Sequence, residues 1–94
     1  MTKSEALTLL SQLFEKFLSI REKDKIIVIK EQVLTFFDSL PFAKSDTEGK
    51  NLIIEVLKYD MESYINTDFN ERFKYRLSGD FQNALMHVSL SLLK

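Results

Sequence analysis

The stretch Asn51-Leu52-Ile53-Ile54-Glu55-Val56-Leu57-Lys58-Tyr59-Asp60-Met61-Glu62-Ser63-Tyr64-Ile65 decides how the rest of the chain is read. At about 100° per residue, Ile53, Val56, Leu57, Met61 and Tyr64 fall on one broad side and Glu55, Lys58 and Glu62 on the other. That pattern predicts an amphipathic helix, taken here as the central one against which the others pack. Just before it, Ser45-Asp46-Thr47-Glu48 has the spacing of a capping box with Ser45 as N-cap. Its acids also suit the positive end of the helix dipole. Asp60 is the exception within the apolar arc. It reads as a boundary carboxylate that reaches solvent or pairs with an Arg or Lys of a neighbouring helix; the sharper alternative is a carboxylate in a binding groove.

Toward the N-terminus, Thr2 with Glu5 forms another capping-box spacing. Behind it Ala6, Leu7, Leu9, Leu10, Leu13, Phe14, Phe17, Leu18 and Ile20 lie within about half the helical circumference, so a helix is predicted up to about Arg21. The run Ile26-Ile27-Val28-Ile29 is β-branched and alone would suit a short strand. However, Ile26, Ile29, Val33, Phe36, Phe37 and Leu40 recur at three- and four-residue steps, which only a helix satisfies. Asp24 is its expected N-cap and Pro41 its stop. Val28 then points away from the main stripe.

Toward the C-terminus, Asn66-Thr67-Asp68 breaks the pattern, and Asp68 with Glu71 suggests a new helix start. Phe69, Phe73 and Leu77 make a short stripe, Ser78-Gly79 reads as a helix end, and Asp80 as the cap of a last helix lined by Phe81, Ala84, Leu85, Val88 and Leu92. One long helix bent at Gly79 fits the same residues. Met86, Leu90 and Leu93 give the last helix a second apolar face, which is either buried internally or covered by another copy, with Val28 a contributor. The fold class expected is therefore all-α: a single domain, 1–94, forming a mostly antiparallel bundle of four to five helices without a sheet.

Composition supports that reading. The 94 residues are 45% hydrophobic and 29% charged, which suits one globular core. Two glycines and one proline are too few for the many tight turns of an all-β domain. A formal net charge of −1 argues against a chain built mainly to hold nucleic acid or to coat an anionic membrane. Without cysteine there is no disulfide and no thiolate metal site. The first residues lead into an amphipathic pattern instead of an unbroken apolar run, so cytoplasmic residence is the default expectation.

Few residues point to chemistry. No catalytic residue, cofactor site or metal site is expected, and the chain reads as non-enzymatic. His87, the only histidine, falls with Asn83, Ser91 and Lys94 on the polar side of the last helix and reads as a solvated surface residue. Gly49 and Gly79 stand alone, which excludes a glycine-rich phosphate loop. Asp38-Ser39-Leu40 resembles the triplet on which carrier proteins of acyl and peptidyl synthesis bear phosphopantetheine. In that family the serine opens a helix after a long loop; here the triplet closes one directly before Pro41.

The leading expectation is a protein-binding module of the inhibitor, immunity-protein, chaperone or adaptor type, an analogy by size and fold class. Arg72, Tyr75 and Arg76 are its expected partner contacts, because Tyr and Arg combine large contact area with directional bonding. Val28, Met86, Leu90 and Leu93 are the expected self-association set. The alternative is a small dimeric nucleic-acid or transcription regulator: Arg72, Lys74 and Arg76 precede the Ser78-Gly79 turn in the manner of a helix-turn-helix, although Asp80 to Leu93 contains no Lys or Arg.

Overall fold

Thr2 opens the first helix through the reciprocal bonds its spacing predicts. The Glu5 N–H donates to Thr2 Oγ1 at 3.1 Å, and the Thr2 N–H donates to Glu5 Oε1 at 2.7 Å. The bond from the Thr2 backbone also holds the Glu5 carboxyl below its usual range. In the computed structural model, which describes residues 1–92, this helix is α1 (Lys3–Ser19).

The run Ile26–Ile29 is helical and lies within α2 (Lys23–Ser39). Its start differs from expectation. Glu22 occupies the N-cap position without a side-chain cap bond, and Asp24 sits inside the first turn. The reason is that Lys25 and Ile26 already donate their N–H groups to the Glu22 carbonyl, at 3.1 and 2.9 Å, so the helix closes ahead of Asp24. Leu40, extended before Pro41, ends α2 as the proline requires.

A 3₁₀ turn, Lys44–Asp46, leads into α3 (Thr47–Asn66). Ser45 lies in the middle of that turn and caps nothing. Asp46 holds the N-cap position of α3, but its side chain makes no cap bond either, because it is engaged elsewhere. The connection after α3 is left-handed at two residues that are not glycine, Asp68 (φ 55°) and Phe69 (φ 64°). The Phe69 N–H donates to the Tyr64 carbonyl at 2.8 Å, which satisfies an end carbonyl of α3 and offsets part of that strain. Asn70, not Asp68, then caps α4 (Glu71–Ser91) by accepting from the Arg72 N–H at 2.8 Å. Gly79 is inside α4, so the two segments around it are one continuous helix and Asp80 is not a cap.

The helices pack as a ring in which α1 meets α2, α2 meets α3, α3 meets α4 and α4 meets α1. No helix is central, contrary to the expectation for α3. Cross-helix pairs show the senses: Asp38 with Lys50 and Lys30 with Glu62 run α2 against α3, and Asp46 with His87 and Asp60 with Arg76 run α3 against α4. Inside the ring, Phe14 stacks on Phe81 at 3.9 Å between centroids, while Phe17 meets Phe81 edge-on and reaches Tyr64 across the diagonal. Each such aromatic, fully buried, contributes about 1.5–3 kcal/mol against exposure. Among the described residues there is no strand; one isolated antiparallel bridge ties Phe42 to Leu92. No described helix is long and apolar enough to cross a membrane.

Candidate functional site

Along α4, Phe73, Arg76, Asp80, Asn83 and His87 recur at three- and four-residue steps and therefore share one edge of the helix. That edge faces α3, and the seam between them concentrates polar groups that a bundle of this size would ordinarily leave in water. Because the helices run in opposite senses, His87 meets the start of α3 and Arg76 meets its second half.

At the first end, His87 Nε2 lies 2.6 Å from Asp46 Oδ2. Both side chains are largely covered, with 16% and 22% exposure. The imidazole packs on Phe42 at 5.1 Å and near Phe37 at 6.4 Å. His87 is thus a clasp between α4 and the α2–α3 connection, which corrects its reading as a solvated surface residue. Gly49 makes room for it: a Cβ there would stand 2.8 Å from Asp46 Oδ1 and 3.3 Å from His87 Cε1. Helical spacing put His87 on the same edge as Asn83 but carried no sign of the distant Asp46.

At the other end, Asp60 is 2% exposed and pairs with Arg76 of the neighbouring helix, Nη2 to Oδ1 at 3.4 Å. This is the boundary pairing read from the sequence. The unforeseen member is Asp80. Its carboxyl is close enough to Asp60 for that acid to act on its proton, and neither Asp60 Oδ1 nor Asp80 Oδ2 has a hydrogen-bond partner. Burial first, then the bond to Asp60 and its charge, push Asp80 up to about 7; Arg76 opposes the rise.

Between the two ends lies a cleft of 130 Å³ lined by Leu52, Ile53, Val56, Leu57, Asp80 and Asn83. Val56, expected on the buried arc, stands at its rim with 42% exposure, and Ile53 is half-buried. Elsewhere, Lys30 is almost fully buried on α2 and reaches Glu62 Oε2 at 3.2 Å. It was legible as a lysine in step with Ile26, Val33 and Phe37 on the apolar stripe, where the long stem packs and the ammonium finds an acid.

The other residues singled out by sequence scatter. Arg72 is exposed, Tyr75 is 84% exposed, and Arg76 is drawn to Asp60 and lies over the Phe73 ring. Met86 and Leu90 are 60% and 77% exposed on α4; Leu93 lies outside the described residues. Val28 is 53% exposed on α2, across the diagonal from α4, so it does not join Met86 and Leu90 in one face. Ser39 closes α2 and donates its hydroxyl to the Phe36 carbonyl at 2.7 Å, opposite to the helix-opening serine of carrier proteins. Residues 78–79 are helical, which removes the turn of a helix-turn-helix. Among the described residues no three His, Asp or Glu side chains gather to hold a metal ion. No family model matches the chain, and no curated protein or solved structure matches it.

Proposed function

We propose that this chain is a non-enzymatic protein-binding module that receives an amphipathic helix of a partner protein in the groove between α1 and α2. The observation that supports this reading is the placement of Ile27 and Val28, which are 44% and 53% exposed in the middle of α2. Exposed β-branched residues help neither the helix, whose propensity they lower, nor the core, which they do not enter. With half-buried Leu13 and Phe36 they border a groove of 700 Å³ whose polar members, Glu31, Gln32, Thr35 and Ser39, stand along α2. Leu9, 40% exposed one turn before Leu13, extends the apolar surface along α1. A groove between two helices with an apolar floor and a polar rim suits the anchors that an amphipathic helix presents at positions i, i+3 and i+4.

In this reading Tyr75 and Arg72 form a secondary contact on α4, and Arg76 is held back by Asp60. Met86 and Leu90 remain the self-association face proposed for α4. The mixed charge and the absence of a basic stripe support a protein partner over a nucleic acid.

The test compares immobilised wild-type chain with Val28→Glu as capture reagents on a host lysate, the bound proteins being identified by mass spectrometry. Val28→Glu should keep its helical circular dichroism and lose a protein that the wild type retains. Retention of the same proteins by both would sink the groove as the binding surface.

A further inference from the structure

The cleft between α3 and α4 lies on the opposite side of the ring from the α1–α2 groove, so a ligand held in the cleft is independent of any helix docked in that groove. Its two kinds of wall are separate. Leu52, Ile53, Val56 and Leu57 from α3 make one side apolar, and Leu52 and Val56 keep 62% and 42% of their surface open to an incoming group. Asp80 and Asn83 from α4 make the other side polar. Next to Asp80 stands Asp60, 2% exposed, whose Oδ1 accepts no hydrogen bond. The charged groups acting on Asp80 are Asp60 from α3 and Arg76 one turn earlier on its own helix; α1 meets this part of α4 through Phe14 and Phe17 on Phe81. Two acids therefore face one cation, which is itself 54% exposed and in ion-pair contact with Asp60 alone.

We propose that this cleft binds a primary alkylammonium group, the chemistry shared by a lysine side chain and a free aliphatic diamine, with its methylenes on Leu52, Ile53, Val56 and Leu57 and its nitrogen on Asp80 and Asn83. An anion would meet the Asp80 carboxyl with Asp60 behind it, and a neutral apolar group would leave Asp80 without a donor. An ammonium supplies donors that the Asp80 carboxylate and the Asn83 side-chain oxygen accept, and its stem suits a narrow apolar wall. Binding also settles the charge. The proton that Asp80 holds near neutrality leaves to solvent as the ammonium arrives, so one cation replaces another and the site stays neutral overall. Affinity should then rise with pH by ~1 log unit per pH unit until Asp80 is ionised in the free protein, and level off above that point.

The test is a titration of the full chain with n-butylammonium chloride, followed by the methyl resonances of Leu52, Ile53, Val56 and Leu57 at about pH 6 and about pH 8, on either side of neutrality. Saturable shifts confined to these methyls, tighter at the higher pH, are expected. n-Butanol, with the same stem and no charge, should fail to produce them. Asp80→Asn should abolish the pH dependence and weaken binding about tenfold, the loss of one charged partner. Nα-acetyl-lysine methylamide and 1,5-diaminopentane then separate the sources: preference for the first points to a lysine of a protein partner, and preference for the second to a free diamine. Equal binding of butanol, or no saturable shift with the ammonium at the higher pH, would overturn the proposal. If Asp80→Asn fails to fold, the comparison of butanol with butylammonium on the wild-type chain decides it alone.

Discussion

His87 Nε2 and Asp46 Oδ2 meet at 2.6 Å although 41 positions separate them, and their contact ties the last helix to the only long connection in the described chain. The Phe42–Leu92 bridge ties the same two regions a second time. A bond to a charged acceptor contributes roughly 1.5–3 kcal/mol where it is dry; with a fifth of each side chain still wet, about 1–2 kcal/mol is expected. Asp46→Asn should therefore lower stability in urea by about 1–2 kcal/mol, and His87→Ala by about 2–3 kcal/mol because it also removes the packing against Phe42. Unchanged urea midpoints for both variants would show that the clasp contributes nothing.

Asp80, beside Asp60, makes stability depend on pH in a direction opposite to that of an ordinary salt-bridged acid. In the fold Asp80 is raised from 3.8 to about 7. Between those values the folded chain keeps a proton that the unfolded chain has released, so stability falls as pH rises from about 4 to about 7 and is level beyond. A rise of that size would be worth about 4 kcal/mol in a dry site; Asp80 is only partly buried, and solvent screening reduces this to ~1–2 kcal/mol. Asp80→Asn should remove the slope, making the variant more stable than wild type by that amount at about pH 8 and no more stable at about pH 4. Parallel stability–pH curves for the two proteins would contradict the raised Asp80.

What the sequence made legible was most of what local periodicity governs, Val56 and His87 being exceptions. The helical nature of Ile26–Ile29, the Thr2–Glu5 box, the Pro41 stop and the buried stripes of α1, α2 and α4 follow from positions a few residues apart. The misreadings share another cause. Ser45 and Asp24 have the residue types of caps, yet the backbone closed a turn elsewhere, and Asp46 gave its carboxylate to His87 instead of its own helix. Asp80 looked like a cap because Gly79 looked like an end, so its partnership with Asp60 was hidden. Contacts between α3 and α4 depend on the relative register of two helices, which no single periodic pattern encodes.

Met86 and Leu90 stand clear of the core on α4, so replacing one of them tests the surface without disturbing the fold. Leu90→Lys suits the negative end of the helix and should change stability by less than about 0.5 kcal/mol. Phe17→Ala, by contrast, empties a site that is 0% exposed and should cost about 3–5 kcal/mol. If α4 joins a second copy through this face, light scattering should show Leu90→Lys as a folded monomer beside a wild-type dimer. A wild type that is already monomeric at high concentration would remove the self-association face.

The two glycines should respond to alanine in opposite ways, although both lie inside helices. Gly79 has helical backbone on an exposed face of α4, and a Cβ there meets nothing within 4 Å. Alanine removes backbone entropy from the unfolded chain and clashes with nothing, so Gly79→Ala should stabilise by about 0.5–1 kcal/mol. Gly49 gains the same entropic benefit, but its Cβ would stand 2.8 Å from Asp46 Oδ1 and 3.3 Å from His87 Cε1. Moving Asp46 aside is sterically cheap, since a carboxylate can rotate, yet the rotation breaks the 2.6 Å contact that holds the connection to α4. The loss of about 1–2 kcal/mol outweighs the gain, and Gly49→Ala should be destabilising overall. In the His87→Ala background the clasp is already gone, so Gly49→Ala should there become neutral or stabilising, a coupling that a double-mutant cycle in urea measures directly. Loss of stability in Gly79→Ala would mean that α4 breaks at residue 79 after all, because only a left-handed glycine resists that change.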